Sequence, residues 1–316
     1  MEIGGYLSLE AFEPKPYYPD LCALNLGRTA ITYLLEALKA KTLFAPYYLC
    51  DSVTNACKQK GFEVLPYYLN DNLSPFYNDE LPPDAYILLV NHYGQLTDDK
   101  IIALKERYQR VIVDNTQSFF QRPVPGVPTF YSCRKFFGIS DGAYLYSDVP
   151  LPELAQQDIS RDRMKHILGR FEGNAADYYD SMLETAHSYA NEPVKRMSSL
   201  TANILGAIDY EDVRQKRNAN YRILDAHLGE YNELPFITPD GPLAYPFLCR
   251  DGAAFRKALA QHKIYVPTYW NNVIDTMDET TIEYKYAANI LVLPIDQRYG
   301  EAEMKFIADT MLSLLK

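Results

Sequence analysis

Lys135 stands in "PTFYSCRKFFGISDGAYLYSD", residues 128–148, a run of aromatic and small residues that otherwise reads as sheet. A lysine is ordinarily a solvated surface charge. Here Phe130, Tyr131, Phe136 and Phe137 flank it in the chain. Apolar surroundings strip solvent from an ammonium and lower its pKa toward the neutral amine. Such an amine is a nucleophile that can form a Schiff base with an aldehyde. Upstream, "VIVDNTQ" ends a strand-like run in Asp114, with Gln117 following. An acid at a buried strand end needs a cation or several donors to stay ionised, so Asp114 either faces a cationic partner or caps the next segment through loop amides. An aspartate for a pyridinium nitrogen, with a lysine about twenty residues later for an aldehyde, is the pair that pyridoxal phosphate chemistry requires.

Two other strand edges carry polar residues. "LNLGRTA" sets Arg28, Thr29 and Ala30 at the start of a helix, whose free N–H groups suit an anion. Thr29 equally fits a plain helix-start residue. "LLVNHYGQ" supplies Asn91, His92 and Gln95, with His92 either a general base or a hydrogen-bonded structural histidine. Missing are GxGxxG, GxxxxGK[ST] and HExxH, which removes support for dinucleotide, P-loop and zincin chemistry.

The elements that must position these residues follow from periodicity. "TAITYLLEALKA" has apolar residues at helical spacing, and "TLFAP" follows as a strand. "DSVTNACKQKG" reads as a helix ended by glycine and "FEVLPYYL" as the next strand. "AYILLVNHYG" is the near-continuous apolar run of a strand buried on both faces. "TDDKIIALKERYQR" opens with a cap and acids, ends in bases, and hands over to "VIVD"; "TFYSC" and "GAYLYSD" close the sheet. This alternation predicts an α/β chain whose large domain, residues 1–235, has a mostly parallel wound sheet and a helical linker. Residues 236–316 read as strand, helix, strand, helix, a smaller C-terminal α+β domain.

Composition bounds the rest. The 316 residues carry a formal charge of −10, which opposes nucleic-acid binding as the main task. No stretch is apolar enough to span a membrane, and "MEIGGYLSLEAFEP" lacks the basic start and apolar core of a signal peptide, so a cytoplasmic location is expected. The 5 cysteines, Cys22, Cys50, Cys57, Cys133 and Cys249, have no CxxC or other metal-ligand spacing, so thiols and no metal site are expected. The 27 tyrosines, often paired as YY, fit packing at strand ends more readily than base or sugar stacking.

In order and spacing, "LGRTAITYLLEAL", "APYYLCDSVTNACKQKGFEVLPYYL", "VNHYGQLTDDKIIALKERYQRVIVDNTQSFF", "FYSCRKFFGISDGAYLYSD" and "ILVLPIDQRYGEAEMKFIADTML" resemble the DegT/DnrJ/StrS family of pyridoxal-phosphate sugar aminotransferases, of the aspartate aminotransferase fold, fold type I. The resemblance implies that Lys135 is the Schiff-base lysine, Asp114 the partner of the pyridine nitrogen and Gln117 the neighbour of the phenolic oxygen. It places Thr29 and Ala30 at the phosphate-binding helix start. It makes Arg196, in "KRMSSLTANIL", a contact to the neighbouring site of a homodimer with shared active sites, and it sets Tyr269 and Trp270 near the substrate. The implied activity is amino transfer, with glutamate as donor, to a nucleotide-linked keto-sugar in surface-polysaccharide or amino-sugar synthesis. A pyridoxal-phosphate enzyme for a non-sugar ketone or another reaction, and a relative that has lost catalysis and kept a binding role, are the alternatives. This chain departs from the family pattern at several positions. Phe130 replaces a phosphate-binding serine five residues before the lysine, with Ser132 as a substitute and Arg28 as a compensating phosphate ligand. Cys50 falls where an aromatic ring commonly stacks, unless a shifted register brings in Tyr47 or Tyr48; Asn91 falls where a histidine is usual, and Val194 where an asparagine is.

Overall fold

The computed structural model describes residues 3–316. The first half of the chain runs β1 (Cys22–Leu24), α1 (Gly27–Ala37), β2 (Thr42–Pro46), α2 (Asp51–Gln59), β3 (Glu63–Leu69), β4 (Pro75–Phe76), β5 (Ala85–Val90), α3 (Asp98–Tyr108), β6 (Val111–Asp114), β7 (Thr129–Ser132) and β8 (Ala143–Tyr146). Its strands form one eight-stranded sheet in the order β1-β8-β7-β6-β5-β2-β3-β4. The five central strands are parallel, and β1, β8 and β4 pair antiparallel at the edges. The mostly parallel sheet agrees with the reading of the apolar runs.

Those runs are strands because they are covered on both faces. Side chains alternate across a strand. Phe44, Ile87, Leu89, Val111 and Val113 enter one core, while Leu43, Ala45, Leu88, Val90 and Ile112 enter the other, under α1 and α2. Each Leu or Ile side chain taken out of water in this way contributes about 1.5–3 kcal/mol. By the same alternation Asp114 lies on the face of Ile112, toward α1. Thr97 caps α3 by accepting from the Lys100 amide, as its sequence pattern predicts.

The second half adds α4 (Lys165–Glu172), α5 (Tyr179–Ser188), α6 (Ser199–Gly206), α7 (Tyr210–Leu228), β9 (Ala244–Leu248), α8 (Gly252–Gln261), α9 (Asn271–Thr276), α10 (Ile282–Asn289), β10 (Ile290–Pro294) and α11 (Glu301–Leu314). β9 and β10 form a separate antiparallel pair. Their core takes Tyr221, Leu224 and Leu228 from α7 and Met304, Ile307 and Met311 from α11. The expected strand, helix, strand, helix series is present, with α9 and α10 inserted before the second strand.

Arg217 of α7 joins this second unit to the segment that carries Lys135. Its side chain is 1% exposed, and burial lowers its pKa to about 10. Its Nε donates to Gln297 Oε1 at 2.9 Å, and its terminal nitrogens donate to the carbonyls of Pro242, Leu243 and Phe136 at 3.0, 3.1 and 3.3 Å. Gln297 Nε2 donates to the same Phe136 carbonyl at 2.8 Å. Removing the guanidinium strands several buried acceptors at once, which costs about 3 kcal/mol. Arg217→Ala is therefore expected to lower the urea unfolding midpoint substantially. Arg217→Lys is expected to lower it nearly as far, because an ammonium cannot present the planar fork. Full stability in Arg217→Lys would show that charge alone matters there.

Candidate active site

The parallel strands end on one edge of the sheet, and the chain reverses its order of addition between β2 and β5, the place where wound sheets hold ligands. A cavity of about 290 Å³ opens there. Leu49 and Cys50 line it from beyond β2, Val90 from β5, Asp114, Thr116 and Gln117 from β6 and its loop, and Phe130 and Ser132 from β7. Arg134 and Lys135 enter from the short 3-10 helix Cys133–Lys135, Leu26, Gly27 and Arg28 from the start of α1, and Trp270 from just before α9. A larger groove, about 840 Å³, runs past Arg170, Tyr265, Arg298 and Phe306, but none of the strand-end residues reaches it. Convergent polar groups, more than volume, mark a site.

Asp114 is 2% exposed, and one carboxylate oxygen accepts from the Thr116 amide at 2.8 Å. Burial raises its pKa from 3.8 to about 6; bonds to Thr116 and the charge of Lys135 pull the other way without cancelling it. A buried carboxylate with one neutral amide and no adjacent guanidinium is short of a positive partner. Gln117 is buried, and its Oε1 accepts from the Tyr93 amide at 3.1 Å, which leaves its Nε2 as the donor available to the cavity. At the start of α1, a methyl added at Gly27 would stand 3.5 Å from Ser132 Cβ and 3.7 Å from Thr116 Cγ2. The missing side chain thus leaves the start of α1 open to a ligand.

Several expectations change in position. Lys135 is exposed, with Nζ 5.2 Å from the centre of the Tyr269 ring. Its aromatic neighbours do not enclose it: Phe130 joins the core under α1, and Tyr131, Phe136 and Phe137 fill another. The Thr29 hydroxyl donates to Asn25 Oδ1 at 2.7 Å, and Ala30 is fully buried with its amide bonded to the Leu26 carbonyl. The open end of α1 is therefore Gly27 and Arg28, earlier than Thr29 and Ala30. Asn91 is buried in an amide network, its Nδ2 donating to Asn115 Oδ1 at 3.0 Å and to Gln121, and its Oδ1 accepting from the Leu96 amide at 2.8 Å. It does not line the cavity. His92 is also buried, with Nε2 2.7 Å from the Tyr48 carbonyl; burial lowers its pKa to about 4, and the structural alternative holds.

Neither Tyr47 nor Tyr48 reaches the cavity. Tyr47 packs on Tyr68, and the buried Tyr48 pairs its hydroxyl with that of Tyr93 at 2.7 Å. Cys50 does line it, as the ungapped count predicts, and the aromatic wall comes instead from Trp270. Tyr48 meets Trp270 edge-on at 5.0 Å, and Tyr269 stacks on Trp270 at 5.3 Å. Arg196 is exposed and lines a different cleft, with Tyr33 and Leu151. Arg134 was not singled out by the sequence; its only signal was adjacency to the lysine. All 5 cysteines are free thiols, and no cluster of metal-ligating side chains occurs among the described residues.

The sequence matches no protein-family model and no curated protein. The fold does match solved structures. A sugar aminotransferase from Micromonospora echinospora is 15% identical, with 93% of this chain and 87% of that one aligned at a TM-score of 0.64. A DegT/DnrJ/EryC1/StrS aminotransferase from Brucella abortus is 15% identical over 93% and 85%, with a TM-score of 0.63. NtdA from Bacillus subtilis, solved with bound cofactor PMP, is 17% identical over 93% and 72%, with a TM-score of 0.65. This chain has the fold of those aminotransferases, the fold type I expected from its motifs.

The raised pKa of Asp114 has a thermodynamic consequence. Folded protein binds this proton more tightly than unfolded chain, so the group favours folding below about pH 4 and progressively loses that contribution as pH rises through about 6. Above that pH the buried charge costs about 3 kcal/mol. Asp114→Asn keeps an oxygen for the Thr116 amide and removes the charge. Without added ligand it is expected to raise the unfolding midpoint at about pH 8 and to match the unsubstituted protein near about pH 3.5. Equal differences at both pH values would show that the carboxyl ionises as it does in water.

Proposed function

We propose that this chain is a pyridoxal-phosphate-dependent aminotransferase. In this reading glutamate donates an amino group to a nucleotide-linked keto-sugar in amino-sugar or surface-polysaccharide synthesis. The observation that carries the reading is the sharing of one strand-end cavity by a buried, cation-deficient carboxylate, Asp114, and an accessible primary amine, Lys135. The residues fit the cofactor: an acceptor for a ring N–H, an amine for an aldehyde, a donor at Gln117, and a cationic corner at an open helix start. When bound, pyridoxal phosphate supplies an aldehyde that exchanges amines and a ring that takes up the electrons of a broken C–H bond.

The chain's own groups divide the remaining work. Asp114 holds a proton at the ring nitrogen, and a cation there returns its carboxyl toward the ionised form that burial opposes. Lys135, exposed at its side chain and anchored at its backbone, accepts and returns a proton at the substrate carbon. Gln117 Nε2 donates to the ring's phenolic oxygen, which fixes the ring against rotation. Gly27 and Arg28 orient the phosphate, and Trp270 with Tyr269 excludes water from the open side. The aminotransferase names of the neighbouring structures support amino transfer, and the Micromonospora name supports a sugar acceptor. Arg196, exposed and outside its own chain's cavity, suits a contact to the site of a second copy in a homodimer.

Purified protein mixed with pyridoxal phosphate is expected to develop a visible absorption band that borohydride fixes as a covalent adduct on Lys135. Lys135→Ala is expected to stay colourless. An equally coloured Lys135→Ala protein would remove the lysine from this role. Glutamate is expected to bleach the band and a nucleotide-linked keto-sugar to restore it. Bleaching reversed only by non-sugar ketones would retain the cofactor and change the substrate.

A further inference from the structure

The serine that the resembled family uses for phosphate is Phe130 here, and its ring is fully buried between β7 and α1. Ser132 borders the cavity, but one neutral hydroxyl is a weak holder for a group carrying about −1.5 to −2 charges. Arg134 borders the same cavity, and its guanidinium lies 4.1 Å from the centre of the Tyr189 ring. Burial depresses its pKa; Tyr189 opposes this, while Arg28 and Arg163 add to it.

The carboxylates in this part of the fold are otherwise engaged. Asp158 pairs with Arg163 and Lys195, and Glu192 with the same two cations. Asp141 accepts from the Ser198 amide at 2.8 Å, the Ser198 hydroxyl at 2.7 Å and the Thr201 hydroxyl. Among the described residues Arg134 has neither an ion pair nor a side-chain hydrogen bond. Arg134 is half-buried, and a guanidinium facing a cavity with its donors unused is well placed to take an anion. Arg134 also borders a second cavity beyond Lys135, where Arg298 is already paired with Asp296 and Arg217 is spent on the carbonyls of Pro242 and Leu243. On the first side Arg28 and the open N–H groups of α1 attract an anion.

We propose that Arg134 is the phosphate anchor of the strand-end cavity, acting with Arg28 and Ser132 in place of the absent serine at position 130. This rests on the pyridoxal phosphate reading for the identity of the phosphate. The planar fork grips two phosphate oxygens, and the Tyr189 ring fixes the plane of the fork.

The test compares pyridoxal phosphate with pyridoxal, which lacks only the phosphate, by titrating each into ligand-free protein and reading the visible band. R134Q is expected to weaken pyridoxal phosphate binding about 10- to 100-fold and to leave pyridoxal binding unchanged. Inorganic phosphate is expected to compete with pyridoxal phosphate on the unsubstituted protein and far less on R134Q. Equal affinity of R134Q and the unsubstituted protein for pyridoxal phosphate overturns the anchor while leaving the cofactor reading intact. Absence of a band with either compound on the unsubstituted protein overturns the cofactor reading, and the anchor with it. Should R134Q not fold, R134K keeps the charge and loses the fork. A loss confined to pyridoxal phosphate then supports the anchor, and no loss overturns it.

Discussion

A carboxylate buried at the end of a central strand, without a cation of its own, is the constraint around which the cavity is organised. Asp114 cannot move outward, because Val111 to Asp114 is locked between β5 and β7 by parallel ladders. Arg28 and Arg134 line the same cavity, and neither is paired with Asp114. One space thus holds a buried carboxylate and guanidinium groups without an ion pair between them. Unpaired charges of both signs are unfavourable in a low-dielectric pocket, and a ligand that carries both signs relieves them. The sheet supplies the rigidity that keeps these groups in place.

Lys135 joins an accessible side chain to a fixed base. Its side chain is exposed, yet the carbonyl of the next residue, Phe136, is held by both Arg217 and Gln297 from the second half of the chain. The preceding Cys133 is buried, and its amide bonds to the Gly142 carbonyl. Backbone atoms on both sides are therefore pinned while the side chain stays exposed. The proton-carrying role proposed for Lys135 needs that combination, a defined origin and an accessible tip.

Much of this was legible in the sequence because the relevant signals were local. Apolar runs such as Ala85–Val90 gave the central strands, and Asp114, Gln117 and Lys135 were found by their position after strands. What failed was inference from chain adjacency to spatial surroundings. Phe130 and Tyr131 flank one another in the chain but enter different cores, because strand side chains alternate, and neither encloses Lys135. Thr29 and Ala30 missed the cavity because the direction of a helix's first side chains depends on where its cap falls, and that cap is Leu26. Asn91 looked like a ligand residue, but its amide is spent on Asn115, Gln121 and Leu96, partners that no spacing announces. Arg134 went unread for the converse reason: what distinguishes it is the lack of a partner, and that is visible only once the nearby carboxylates are seen to be taken.

Trp270 stands as far beyond Lys135 in the chain as Lys135 stands beyond the first residue's predecessor, yet both line one small cavity. Asn272 donates to the Leu49 carbonyl at 3.0 Å and Glu283 accepts from the Leu69 amide at 2.5 Å, so the wall is fastened to the loops it faces. During synthesis the strand ends and the arginine corner leave the ribosome well before the aromatic wall exists. Contacts of such sequence separation form late because a long loop must close first. The pocket is therefore enclosed only once the two halves of the chain have found each other.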